Sequence, residues 1–305
     1  MKVFVTGSEG FVGKRLVQRL KKHGVETVTV DLVAPPGSET IRADICQPDI
    51  WDLIPHEADA IIHLAGFARN PDCQNKAYSC FKTNVMATLN LIDAAETRKV
   101  KQFIFASSEW VYGEWKDGTV KDSSIPINAA TLASEYAFSK YVSEVNLRQK
   151  YQHGFCPVTI LRFGIIYGPR EKNWSAVESL FHAVRTQNEV RVGSLRTARC
   201  FIHIDDIVSG IIASLGLKDF HVLDLQGSYL ISLEDIIETS KKITGRSPVI
   251  VETEAENFNI RQVSNKTTLL VIPWKPELDL EKGLRSLLNG DMMGGNKWIR
   301  NYADS

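Results

Sequence analysis

The chain has 305 residues, with 36 Lys plus Arg balanced by 36 Asp plus Glu, so its formal charge is zero and offers no overall attraction to nucleic acid or to an anionic membrane. Apolar residues at 44% and charged residues at 24% exclude wholesale disorder and leave room for two domains or one large α/β unit. Five cysteines with no CxxC pair argue against a disulfide framework or a structural zinc site, no apolar run reaches the length of a membrane span, and Met1-Lys2-Val3-Phe4-Val5 lacks a signal-peptide layout. A cytoplasmic protein without a bound metal is expected.

Strands are predicted at 2–6, 27–31, 60–64, 102–106 and 158–163, each short and apolar on both faces, with helical spacing between them, as at 14–22. Buried strands alternating with helices predict an α/β fold with a doubly wound parallel sheet, because such crossovers are right-handed and cover both faces. Further on, helical patterns at 175–186, 205–215 and 232–244 are interrupted by strands near 190–192, 199–203 and 221–225. Ile272-Pro273-Trp274-Lys275-Pro276 precedes a last helix at 280–288, and the Gly- and Asn-rich tail 289–305 is expected to be loosely held. A boundary near Gly168-Pro169 divides a nucleotide-binding unit, 1–168, from a smaller α/β lobe, mainly 169–288, with the chain free to cross back.

The first strand runs into Gly7-Ser8-Glu9-Gly10-Phe11-Val12-Gly13 and then a helix. Glycines allow the tight turn and the close backbone approach of a ligand, and the helix start offers unpaired N–H groups to a pyrophosphate. The spacing is GxxGxxG rather than the commoner GxGxxG. Asp31 closes the second strand eighteen residues after Gly13, where a carboxylate can accept from both ribose hydroxyls and repel a 2′-phosphate. No Arg or Lys follows in Leu32-Val33-Ala34, so NAD is expected rather than NADP. Asp44, beside Ile45, suits either an adenine amino group or a turn.

Tyr136-Ala137-Phe138-Ser139-Lys140 places Tyr and Lys on one helix face. A phenol has a pKa near 10, and a neighbouring ammonium together with the positive nicotinamide ring of NAD⁺ is expected to lower it, turning Tyr136 into a base for a substrate hydroxyl. The strand 102–106 ends in Ser107-Ser108-Glu109-Trp110-Val111-Tyr112-Gly113. Ligands lie at the carboxyl ends of such strands, so a Ser there can grip the same oxygen as the Tyr, which makes an alcohol/ketone site.

These segments, together with His63-Leu64-Ala65-Gly66, Thr83-Asn84-Val85, Leu161-Arg162-Phe163-Gly164-Ile165-Ile166-Tyr167-Gly168-Pro169-Arg170 and Phe201-Ile202-His203-Ile204-Asp205-Asp206, occur in an order that resembles the extended short-chain dehydrogenase/reductases, specifically the NAD-dependent epimerase/dehydratase family acting on nucleotide sugars. The resemblance spans about 1–285. It implies a Rossmann domain with a smaller C-terminal substrate lobe, bound NAD, and catalysis by Ser108, Tyr136 and Lys140, Lys140 also holding the nicotinamide ribose. Carried over residue by residue, it places Gly7, Gly10, Phe11, Val12, Gly13, Asp31, Asp44, Ile45, Leu64, Ala65, Gly66, Asn84, Tyr136, Lys140 and Phe163 at the cofactor. Ser108, Glu109, Trp110, Asn173 and Arg199 fall on the substrate side, with Arg191, Arg196 and Arg261 as other guanidinium candidates for a diphosphate.

Three features depart from that family's patterns. Trp110 stands where dehydratases carry the second carboxylate of an Asp–Glu pair, which disfavours dehydration. Ile165 stands where many UDP-sugar members carry an Asn. The C-terminal lobe is short. His63 suits a structural role, and Asp205 and Asp206 suit helix N-capping. The apolar faces of Val85-x-x-x-Leu89-x-x-Ile92 and Tyr141-x-x-x-Val145 suit either a homodimer or the monomer core. The expected activity is nucleotide-sugar epimerisation with tightly held NAD. The alternatives are a sugar or nucleotide-sugar dehydrogenase or keto-reductase with net redox change, and, further off, a dehydratase or a non-catalytic NAD-binding protein.

Overall fold

The apolar runs become strands because both of their faces are covered: every position of Phe103–Ser108 and of Val158–Phe163 is buried. In the computed structural model, which describes residues 1–115 and 118–293, seven parallel strands form one sheet. From one edge to the other they are Phe220–Leu225, Val158–Phe163, Phe103–Ser108, Ala60–His63, Lys2–Thr6, Glu26–Asp31 and Ile41–Arg42. The chain first builds outward from Lys2–Thr6 through Glu26–Asp31, then returns to add Ala60–His63 on the other side, with Val5 paired to Thr29 in one direction and to Ile62 in the other. That reversal opens a crevice at the carboxyl ends of the strands, where ligands of such sheets bind.

Helices cover both faces. Leu16 and Leu20 of Phe11–Lys22 and Ile207, Val208 and Ile211 of Ile204–Ala213 pack on one side of the sheet, against Val3, Val5 and Ile62. Leu91 and Ile92 of Ala87–Thr97 and Leu147 of Glu135–Gln152 pack on the other, against Phe4, Phe103 and Phe105. Ile92 belongs to this core and Val85 is buried, so of the suggested dimer faces Val145 is left exposed; Met86 and Phe138, outside those faces, are exposed as well.

Two strands, 2–6 and 158–163, fall at their predicted bounds, and the other three of the first half differ by one or two residues. The predicted strand 199–203 is instead two, Ala198–Arg199 and Ile202–His203, which pair in different sheets. Phe220–Leu225 joins the central sheet beside Val158–Phe163. The smaller elements Val120–Lys121, Val249–Glu252 and Ile260–Val263 escape the sequence pattern because they are short and partly exposed. Ala176–Thr186 and Leu233–Thr244 pack together over a core of Phe181, Val184, Ile236 and Ile237. Both helices open with capping boxes, Ser175 with Glu178 and Ser232 with Asp235.

Two further expectations need correction. Cys73 and Cys80 form a disulfide, their Cα atoms 5.3 Å apart, because the turn between the short helices Asn70–Cys73 and Ala77–Phe81 brings together two residues whose spacing of seven matches no sequence motif. The last helix runs Leu280–Met293, so the predicted loose tail begins as helix, and its remainder lies outside the described residues. Among the described residues no helix is long and apolar enough to cross a membrane.

Candidate active site

The glycine turn is built for close approach. Gly7 has φ +72°, donates to Val30 O at 3.0 Å, and a Cβ there would lie 2.6 Å from the Ala65 nitrogen. A Cβ on Gly13 would overlap the Gly7 carbonyl oxygen. Gly10 caps the helix Phe11–Lys22 without a side-chain hydrogen bond, so its first N–H groups stay available to an anion. Asp31 lies against this turn, accepting from Glu9 N at 2.9 Å and from Val33 N at 3.0 Å. Across the switch point Leu64, Ala65 and Gly66 follow Ala60–His63, with Ala65 N donating to Thr6 Oγ1 at 3.2 Å. Cradle and carboxylate therefore fit a dinucleotide with free ribose hydroxyls.

Several residues expected at the cofactor have internal partners. The Asp44 carboxylate accepts from Cys46 N at 2.9 Å, a bond that holds its pKa below the usual carboxylate range, while Ile45 is buried in the core. Asn84, 2% exposed in the π-helical turn Lys82–Met86, accepts from Phe67 N at 2.8 Å and donates to Ser139 Oγ at 3.0 Å. It thus clamps the loop after Gly66 onto the helix bearing Tyr136. His63 is likewise internal, with ring nitrogens 2.8 Å from Thr6 Oγ1 and 3.0 Å from Thr88 Oγ1, and burial drives its pKa down to about 3.

Ser108 and Phe163 are direct neighbours across the two central strands, and Ser107 pairs with Arg162 in the same register. The structure separates the two serines by their partners. Ser107 Oγ donates to Glu144 Oε1 at 2.5 Å, and Glu144 is held by Arg162 through Nη2 at 2.7 Å and Nε at 3.1 Å. Arg162 also reaches Tyr112 OH at 3.1 Å, and Tyr112 donates to Asp224 at 2.8 Å. Ser107 is thereby committed to a buried network, whereas Ser108 Oγ accepts a longer 3.3 Å bond from Trp110 N and lies close enough to the Tyr136 phenol to favour its charged form. Sequence reasoning missed this network. Its signal, a Glu one turn after Lys140 and an Arg on the neighbouring strand, is too common to stand out.

Tyr136 and Lys140 are each 5% exposed on the inner face of Glu135–Gln152. The Lys140 ammonium donates to Ala106 O at 2.9 Å and stands 4.9 Å over the Phe105 ring, and burial lowers its pKa to about 8 against the pull of Glu144. From the protein's own groups alone, burial pushes the phenol pKa up to about 12, Ser108 counteracts this, and Asp72 and Glu109 add to the rise. Burial is the stronger effect on Tyr136, so lowering that pKa requires positive charge on the open side of the phenol.

On the far side of Ser108 lies a second cluster. Arg261 is 3% exposed, donates to Gly113 O at 2.7 Å and lies 4.4 Å from both the Trp110 and Trp115 rings. Arg199 is half-buried, donating to Ala198 O at 2.8 Å and Asn259 O at 2.5 Å. Glu109 is 3% exposed between them and the Gln226 amide. Of the other guanidinium candidates, Arg191 pairs with Glu189 at the surface and Arg196 stacks on Phe258. Asn173 occupies an exposed left-handed turn, φ +62°, and no described contact brings it to Ser108 or Tyr136. Asp205 and Asp206 do not cap their helix. His203 does, leaving Asp205 to pair with Arg15 at 2.6 Å and Asp206 to accept from Glu277 N at 3.0 Å and Leu278 N at 3.1 Å.

A Rossmann-like sheet with a glycine turn at its switch point and a buried Ser, Tyr and Lys beyond it defines a dinucleotide-dependent enzyme of the short-chain dehydrogenase/reductase type. The sequence profile of the NAD dependent epimerase/dehydratase family matches residues 3–222, and the chain belongs to that family, with NAD as its cofactor. It is 26% identical to the "Putative UDP-glucose 4-epimerase" of Methanocaldococcus jannaschii over 98% of each chain. It is 27% identical to the "GDP-6-deoxy-D-mannose reductase" of Pseudomonas aeruginosa over 94% of this chain and 96% of that one. Among solved structures it resembles UDP-glucuronic acid 4-epimerase from Bacillus cereus, in complex with UDP-glucuronic acid and NAD, with a TM-score of 0.82 and 25% identity, covering 96% of this chain and 99% of that one.

Proposed function

We infer that this protein is an NAD-dependent nucleotide-sugar epimerase that inverts one carbinol carbon through a transient keto-sugar. What supports the reading is that Ser108 lies beside Tyr136, with Lys140 one turn along the same helix, and that the half-buried Arg199 and the buried Arg261 lie beside Glu109: two hydroxyls for one reacting oxygen and two guanidinium groups for a diphosphate. Bound NAD supplies the hydride acceptor and donor. Gly7, Gly10, Phe11, Val12 and Gly13 hold its pyrophosphate and Asp31 its adenosine ribose, with Leu64, Ala65, Gly66 and Phe163 lining the cofactor's other side. Tyr136 takes the hydroxyl proton and returns it on re-reduction, Ser108 holds the same oxygen, and Lys140 keeps positive charge beside both. The names of the relatives, UDP-sugar enzymes among them, favour a UDP-hexose as substrate.

A second reading, a dehydrogenase or keto-reductase with net redox change, is favoured by Ile165 and by the reductase relative. Dehydration is disfavoured, since Trp110, packed against the cluster of Cys73, Cys80 and Tyr136 and stacked by Arg261, offers no second carboxylate. Denaturing the freshly purified protein and assaying the released cofactor separates the first two. Near-stoichiometric NAD supports the epimerase, which never needs to release it, and an empty site that binds added NAD weakly supports net redox chemistry. Tyr136→Phe abolishes UDP-hexose interconversion and leaves the NAD content unchanged; retained activity sinks the mechanism.

Within this reading, residues 1–168 carry the cofactor and 169–288 mainly the substrate, with Phe220–Leu225 returned to the central sheet. The protein works in the cytoplasm. The exposed Met86, Phe138 and Val145 are the face of a homodimer, which sedimentation at several concentrations tests directly.

A further inference from the structure

Glu109 is a carboxyl buried at unusual cost. Its Oε1 has no hydrogen-bond partner, and its Oε2 faces only the Gln226 amide, at 2.9 Å in the orientation that also lets the Gln226 oxygen accept from Gly164 N. Two cations act on it, Arg261 from Ile260–Val263 and Arg199 from Ala198–Arg199, yet among the described residues neither closes a direct ion pair with it, and Arg261 Nε is itself buried without a partner. The other groups around this cluster are Ser108 and Tyr136 on the catalytic side, Cys200 next to Arg199, and Glu114, which is exposed and therefore screened by solvent. Burial raises the Glu109 pKa, and Arg261, Arg199 and Gln226 oppose that rise.

The same two guanidinium groups are the ones assigned above to the substrate diphosphate, on which this inference rests. A diphosphate docked there claims their charge and adds its own, so the buried carboxylate loses its compensation and its neutral form becomes the favoured one. We propose that Glu109 takes up one proton from solvent when the nucleotide-sugar diphosphate binds Arg199 and Arg261, so that the substrate complex holds a neutral carboxylic acid beside Ser108 and Tyr136. Two consequences follow. The unpartnered Oε1 becomes able to donate a hydrogen bond toward the sugar, and the negative charge that opposes ionisation of Tyr136 disappears when substrate arrives. Substrate binding and activation of the phenol are thus coupled through one carboxyl.

The test is calorimetric titration of UDP-glucose into the NAD-loaded protein in buffers of different ionisation heat, between about pH 6 and pH 8, where the two phosphates of the probe do not titrate. The expected result is uptake approaching one proton per site, with affinity falling up to about tenfold per pH unit, and a Glu109→Gln protein that binds with no uptake and no pH slope. Absence of uptake in the wild-type protein overturns the proposal without help from any variant. Uptake that persists in Glu109→Gln also overturns it, because the proton then goes to another group. Failure of UDP-glucose to bind at any pH instead refutes the UDP-hexose reading, and this inference falls with it.

Discussion

Replacing Arg162 by Leu isolates the network behind the catalytic strand. Arg162 and Glu144 are each 5% exposed and joined by two bonds of 2.7 and 3.1 Å, and Arg162 makes a third bond, 3.1 Å, to Tyr112. Burial works against the Arg162 charge, yet Glu144 and Tyr112 together hold its pKa above the usual value, so the guanidinium stays charged in the folded protein. Removing the cation leaves Glu144 desolvated with Ser107 as its partner and the carboxyl of Asp224 as a like-charged neighbour. Breaking a buried pair from one side costs about 3–5 kcal/mol, a large share of the roughly 5–15 kcal/mol that holds a typical domain. Replacing both members by Leu costs much less, under about 2 kcal/mol, because no charge is stranded and only Ser107 and Tyr112 lose a partner. Equilibrium urea unfolding of wild type, the Arg162→Leu and Glu144→Leu single variants and the double variant measures the coupling. A single variant within about 1 kcal/mol of wild type, or a double variant as costly as the sum of the singles, refutes the reasoning.

Other outcomes follow from the same geometry. Gly13→Ala forces a methyl group into the Gly7 carbonyl, so the purified variant should lose its NAD while keeping wild-type far-UV circular dichroism; full cofactor content would show that the turn can relax. Asp224 has its pKa raised from 3.8 to about 7, chiefly by burial, so the folded state holds more protons than the unfolded one between those values. Its contribution to stability is complete below the unfolded pKa and is lost as pH rises toward about 7, and Asp224→Asn removes that part of the fall in a pH series of unfolding midpoints. Thiol titration of the unfolded, unreduced protein should return three groups, Cys46, Cys156 and Cys200, with Cys73 and Cys80 appearing only after reduction.

What the sequence determined by itself is whatever depends on near neighbours along the chain. Strand bounds at 2–6 and 158–163, the glycine turn and the Tyr136–Lys140 face all follow from local periodicity or from a short motif whose members lie within one turn. Tertiary structure decided the rest, because it depends on which distant segments meet. Ser107 is committed to Glu144 and Arg162, which arrive from a helix and a neighbouring strand and which no local motif announces. Arg261 is separated from Arg196 and Arg191 only because the Ile260–Val263 strand pairs with Ala198–Arg199 and carries it to Trp110. Burial, which no window of residues reports, raises the Tyr136 pKa and leaves Glu109 Oε1 without a partner near two cations. Desolvation and long-range charge are properties of the packed molecule, and they set the chemistry of groups whose presence the sequence had already declared.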